Sequence, residues 1–292
     1  MEKENPSSQK DKSGTDISKA IQDRVISSTL SHIKYKIFVM SGKGGVGKSS
    51  IAANLAAALA LRGKRVGLLD VDIHGPSVPR LLGLKGLLDT NDKNMIEPKK
   101  YSENLSVVSM ESLLKDPDQA VLWRGPMKTS VIRQFIADVK WGDLDFLVVD
   151  SPPGTGDEPM TVLRTIPDAL CVVVSTPQEV SLADVRKAIN FLQYARANVL
   201  GIVENMSGLY CPHCHKEIEL FKKGGGRKLA EKYGLDFLGA IPLDPLAVTA
   251  GDRGRPIVMQ EGDSPAKKEL LQLADNVATA AETSLEIAVG PE

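Results

Sequence analysis

Short apolar runs rich in β-branched residues recur along the chain at 37–40, 66–69, 105–108, 146–149, 169–174, 199–203 and 237–241. Each is barely interrupted by charge, so each predicts a strand covered on both faces rather than one with a wet side. Longer amphipathic stretches lie between them at 50–61, 128–139, 181–195 and 226–233, and a further helical pattern fills 266–285. Strand and helix in alternation predict an α/β fold: a doubly wound, mostly parallel sheet with helices on both faces. No internal repeat and no linker interrupts the pattern, so a single domain is expected over 31–292, with its last helical stretch docked on the core. Residues 1–30 are polar and charged and are expected to form a flexible tail, with room for a short helix near 17–26. Aromatic residues are 4% of the chain against 42% for all apolar types, which makes the expected core aliphatic.

Between the run at 37–40 and the helical stretch at 50–61 stands Gly42-Lys43-Gly44-Gly45-Val46-Gly47-Lys48-Ser49. It fits G-x-x-x-x-G-K-[ST] at every fixed position, in the strand–loop–helix context that a phosphate-binding loop requires. Its glycines let backbone amides turn inward around phosphate oxygens with no Cβ in the way. The helix beyond, entered through Ser49 and Ser50, offers its positive N-terminal end to the same oxygens. Lys48 is expected at the β- and γ-phosphates of ATP, and the Ser49 hydroxyl on magnesium. Asp150 directly follows the run at 146–149 and fits the Walker B position for the same ion. Asp70 and Asp72 end the run at 66–69, on the ligand side of a parallel sheet. The stretch from Ser151 to Glu158 is expected to be a loop that senses the γ-phosphate.

Tyr210-Cys211-Pro212-His213-Cys214-His215 places two thiolates at a spacing that lets both reach one metal or cluster. This knuckle is expected in a loop well beyond the strand that ends near 203. Cys171 lies inside an apolar run and reads as core. A [4Fe–4S] cluster or a four-cysteine zinc site takes four thiolates, and two chains facing across a twofold axis supply them. Zinc held across such a dimer, zinc held in one chain with help from His213 or His215, and a redox dithiol are the other readings the residues leave open.

Lys43 narrows the family. A lysine at this place resembles the deviant Walker A loop of the MinD, ParA and nitrogenase iron-protein group, in which it crosses to the partner subunit's ATP. Several further blocks are similar to the Mrp/ApbC-type iron–sulfur carrier ATPases over about 35–258. They are Asp70-Val71-Asp72-Ile73-His74-Gly75-Pro76-Ser77, Trp123-Arg124-Gly125-Pro126, Asp150-Ser151-Pro152-Pro153-Gly154-Thr155-Gly156-Asp157, Glu204-Asn205-Met206-Ser207-Gly208, the cysteine knuckle and Ile241-Pro242-Leu243-Asp244-Pro245. The resemblance implies an ATPase with slow hydrolysis, in which Lys43, Lys48 and Asp72 are catalytic and Asp72 positions the attacking water. It implies that Asn205 reads the adenine edge while Pro242 and Asp244 line the base pocket. It also implies a homodimer whose Cys211 and Cys214 bridge a [4Fe–4S] cluster, with zinc possible in purified samples. Cluster donors and apo iron–sulfur proteins are the implied partners. Two departures stand out: residues 1–30 hold no cysteine for the additional cluster of some eukaryotic relatives, and the extra N-terminal domain of some bacterial relatives is not expected.

Other function classes fit less well. A formal net charge of -1 gives no standing affinity for nucleic acid. No apolar run approaches the roughly 20 residues of a membrane span, and no signal-peptide pattern opens the chain, so a cytoplasmic protein is expected. A MinD- or ParA-like positioning ATPase should carry a basic terminal helix, whereas Lys267 and Lys268 are followed by Glu269, Asp275, Glu282 and Glu286. That reading leaves the knuckle unexplained. In a reductase like the nitrogenase iron protein, the cysteines sit singly in separate loops.

Overall fold

The computed structural model describes residues 7–72, 75–91, 95–113, 125–211, 214, 216–218 and 220–289. In chain order these form α1 (Ser7–Ser31), β1 (Ile33–Ser41), α2 (Lys48–Leu61), β2 (Val66–Asp70), α3 (Val78–Leu81), β3 (Asp89–Thr90), β4 (Ile96–Glu97), β5 (Lys99–Ser102) and β6 (Leu105–Ser109). There follow α4 (Gly125–Asp138), β7 (Leu144–Asp150), α5 (Asp157–Thr165), β8 (Leu170–Ser175), α6 (Glu179–Tyr194), β9 (Asn198–Tyr210) and β10 (Glu217–Ile218). The chain closes with α7 (Gly225–Tyr233), β11 (Phe237–Leu243), α8 (Pro245–Asp252) and α9 (Pro265–Val289).

The main sheet runs β10-β9-β8-β1-β7-β2-β6-β5, with β11 beside β9. All pairings from β11 through β9, β8, β1, β7 and β2 to β6 are parallel. The antiparallel strands β5 and β10 sit at the two margins. Every residue of β2 and β8 is buried, the signature of strands covered on both faces. One apolar layer joins the sheet to α2 and α9, and the other joins it to α1, α4, α5, α6 and α7. This is the doubly wound α/β arrangement that the alternating pattern predicts.

α2 is built almost wholly from small and branched apolar residues and is buried from Ile51 to Ala60 without a break. Its alanines let it lie between the sheet and α9 with no solvent-facing side. At its C-terminal end the Arg62 guanidinium grips Asp275 of α9 through two hydrogen bonds of 2.8 Å.

Three stretches differ from the sequence expectation. Residues 7–31 form a helix rather than a flexible tail, because Ile26 and Leu30, one turn apart, bury a short apolar edge. Arg133 of α4 adds an ion pair to Asp23 and a hydrogen bond to Gln22. Residues 157–165 are a helix, α5, opened by Asp157 and Glu158, whose charge suits a helix N-terminus. β9 continues through Glu204, Asn205 and Ser207 to Tyr210, since β11 and β10 pair with its far end despite the polar residues.

Candidate functional site

β1 lies between β7 and β8, and the loop that leaves it enters α2 at the carboxyl edge of the sheet. Gly45 and Gly47 hold φ of +79° and +81°, the left-handed region that favours glycine. A Cβ on Gly42 would collide with the Asp184 carbonyl, and one on Gly47 with the Asn205 side-chain amide. The loop is therefore fixed from two sides, by α6 and by β9. The Ser41 hydroxyl also donates to the Lys43 carbonyl at 2.8 Å. Val46 is buried, Lys43, Ser49 and Ser50 are half-buried, and Gly44 and Gly45 are exposed at the rim.

Lys48, nearly buried, donates to Asp150 at 2.5 Å and to the Ser49 hydroxyl at 3.3 Å. Asp150 ends β7 in direct register with Asp70, the last residue of β2. Asp70 accepts from the Ser109 hydroxyl at 2.9 Å and from the Asp72 amide at 3.1 Å. Both carboxyls are wholly buried. Burial pushes Asp70 well above the usual carboxylate range, and the neighbouring Asp150 charge pushes it further. Burial raises Asp150 too, against the pull of Lys48. The second oxygen of Asp150 is buried without a hydrogen-bond partner among the described residues. A spare buried carboxylate oxygen beside a serine hydroxyl and a second carboxylate is a hard-oxygen donor set, and these residues fit magnesium. Asp72 is buried next to them and accepts from the Gly75 amide at 3.1 Å. Ile73 and His74, between these two, lie outside the described residues.

A cleft of about 1240 Å³ runs from Gly47 and Ser50 past Asn205 and Met206 to Pro242 and Asp244. Asn205 donates its amide to the Val46 carbonyl at 2.9 Å, so the residue expected at the base is bonded to the phosphate loop itself. Asp244 caps α8 by accepting from the Leu246 amide at 2.8 Å. Its other oxygen is buried and unpartnered among the described residues. The loop residues 42–50 and the more distant Asp70, Asp72, Asp150, Asn205, Pro242 and Asp244 thus gather around one end of the sheet.

Cys211 and Cys214 stand apart from that cleft but on the same strand system. The Cys211 amide donates to the Lys216 carbonyl at 2.9 Å, which closes a hairpin from β9 into β10. Cys211 thus directly follows β9, and Cys214 lies between β9 and β10, closer to a strand than expected. Cys211 is half-buried and Cys214 exposed. Among the described residues no third His, Cys, Asp or Glu gathers with them into a metal-holding group, and His213 and His215 lie outside those residues. Trp123 and Arg124 lie outside them as well. Cys171 is buried in β8, where burial pushes its thiol up to about 12. No described helix is long and apolar enough to cross a membrane.

Sequence reasoning passed over Glu204 as a working residue. It is wholly buried in β9 and accepts from the Ser207 hydroxyl at 2.6 Å, the Gly224 amide at 3.0 Å and the Gly226 amide at 2.6 Å. The available signal was a lone acid closing the apolar run 199–203.

Comparison with known proteins agrees with this geometry. Residues 32–278 match the family described as ParA, NUBPL iron-transfer P-loop NTPase. An iron–sulfur cluster carrier protein of Saccharolobus solfataricus is 44% identical over 96% of this chain and 97% of its own. The human cytosolic Fe-S cluster assembly factor NUBP2 is 44% identical over 86% of this chain and 94% of its own. Among solved structures, a nucleotide-binding protein of Archaeoglobus fulgidus in complex with ADP superposes with a TM-score of 0.71 at 42% identity, covering 80% of this chain and 91% of that one. With that family matched over most of its length, this chain belongs to the NUBPL iron-transfer family of P-loop NTPases.

Proposed function

We propose that this protein is an ATP-dependent iron–sulfur cluster carrier of the cytoplasm. It binds a [4Fe–4S] cluster as cargo between the Cys211 and Cys214 pairs of two copies and passes it to apo iron–sulfur proteins. The observation that carries this reading is the cysteine hairpin at the end of β9, the strand that also bonds the phosphate loop through Asn205. The names of the relatives at 44% identity favour an iron–sulfur cluster as cargo. Two thiolates fall short of the four such a cluster takes, and a second copy supplies the rest.

The roles follow from chemistry. Amides of Gly42 to Ser50 surround the phosphates, and Lys48 leaves Asp150 for the β- and γ-oxygens. Ser49, Asp70 and Asp150 hold magnesium directly or through water, which neutralises charge developing on the phosphates. Asp72 orients the attacking water, and Lys43 reaches the partner copy's ATP as a cation supplied in trans. Asn205, whose amide bonds Val46, turns from it to the adenine edge beside Pro242 and Asp244. Hydrolysis is slow, since turnover serves to time release of cargo.

The test is anaerobic reconstitution with iron and sulfide, read by visible absorption and metal content. Wild type should turn brown with about four irons per dimer, and the Cys211→Ser, Cys214→Ser variant should stay colourless while still binding ATP. Equal iron and sulfide in both proteins, or zinc alone in the wild type, would overturn the reading.

A further inference from the structure

Of four consecutive residues of β9, three make side-chain hydrogen bonds and one, Met206, is strained. Glu204 is clamped to the start of α7 through the Gly224 and Gly226 amides. Asn205 is bonded to the phosphate loop at Val46. Met206 holds φ of +58°, a conformation that a long side chain rarely adopts outside sites whose surroundings enforce it. Ser207 turns its hydroxyl back onto Glu204 at 2.6 Å. Met206 thus sits strained between the contact to the loop and the return bond to Glu204.

The far side of the Glu204 clamp leads to the cysteines. Lys223 immediately precedes Gly224 and lies across Gly208, where a Cβ would meet its side chain. Its ammonium pairs with Glu217 of β10 and sits 5.9 Å from the Tyr210 ring centre. Glu217 and Tyr210 face each other in the hairpin that carries Cys211 and Cys214. A contiguous set of contacts therefore joins Val46 to the cysteine hairpin, and the one buried charge within it is Glu204.

We infer that Glu204 is a positioning residue which couples the nucleotide site to the cysteine pair. A nucleotide that draws Asn205 away from Val46 shifts the strained turn at Met206. Glu204 passes that shift through Gly224 and Lys223 to the hairpin, and so changes how Cys211 and Cys214 are presented. The carboxylate suits the task because its two oxygens hold three donors at once, and a charged acceptor binds backbone amides more strongly than a neutral one. The inference deepens the carrier reading and rests on it for its purpose, but the coupling is measurable without any cluster.

The experiment is alkylation of Cys211 and Cys214 by iodoacetamide in the apo protein, followed by mass spectrometry, with and without magnesium and a non-hydrolysable ATP analogue. In the wild type the analogue should change the rate by about fivefold or more, the scale of an ordinary coupling between two sites. Glu204→Gln puts an amide donor against one of the Gly224 and Gly226 amides, and it should bind the analogue as wild type does while losing the change. Lys223→Ala acts at the surface where folding is not at stake, and it should lose most of the change as well. A nucleotide response that persists in both variants, or none in the wild type, overturns the coupling. Failure of iron and sulfide to bind would instead overturn the carrier reading alone.

Discussion

Lys48 occupies a place where two carboxylates meet, and its charge is what allows Asp70 and Asp150 to share a buried corner. Replacing it by Ala should cost about 3 kcal/mol of unfolding free energy at neutral pH, the scale for stripping one partner from a buried ion pair. The sign of the pH effect follows from the raised pKa of both acids. Groups that hold protons more tightly when folded favour the folded state as pH falls towards their ordinary values. The gap between Lys48→Ala and wild type should therefore narrow from pH 7.5 to pH 5.5 in urea titrations. A gap that stays constant would mean the two acids do not titrate in that corner. ATP binding should be lost in the variant at either pH. At this scale Lys48, Ser49 and the cysteine pair were legible from their spacing, because their chemistry needs particular residue types, whereas Lys43 stands at a variable position of the loop motif and was singled out only by the family resemblance. The φ of Met206 was not legible, since no glycine or asparagine marks it, and two of the three bonds of Glu204 depend on Gly224 and Gly226, far along the chain.

Among the elements, α1 separates composition from packing. Its sequence is polar enough to read as a tail, yet Ile26 is 4% and Leu30 is 6% exposed against the α4 side of the sheet. Leu30→Ala should lower stability by about 2–3 kcal/mol, the cost of a buried leucine in a site that does not collapse. Thermal or denaturant melts unchanged by that substitution would mean the helix does not dock in solution. The parallel strands were readable because each is a short, nearly uncharged apolar run, and their helices because longer stretches lie between those runs, although α2 is buried all round rather than amphipathic. What escaped was structure sustained by neighbours: β9 beyond residue 203 exists because β11 and β10 hydrogen-bond to it, and the polar residues there carry no apolar pattern. The short strands β3 and β4 form a pair of their own with no run long enough to announce them.

At the scale of the whole molecule, the proposed function calls for a second copy twice, once for the loop lysine and once for the cysteine pair. Lys43→Ala should cut ATP hydrolysis about a hundredfold or more while changing ATP affinity little, as expected for a cation that acts on the partner's phosphates. Sedimentation should find wild type as a dimer once magnesium–ATP and the cluster are both bound. Undiminished turnover in Lys43→Ala, or a loaded protein that sediments as a monomer, would remove the trans role.

The unbroken burial of α2 carries a mechanical consequence. A rod enclosed on every side cannot tilt or slide without opening voids in a close-packed interior. The phosphate loop, welded to its front end, is thus a stationary jaw. Any motion that ATP sets off must belong to what surrounds it: the carboxyl end of β9, the start of α8 and the segment after β2.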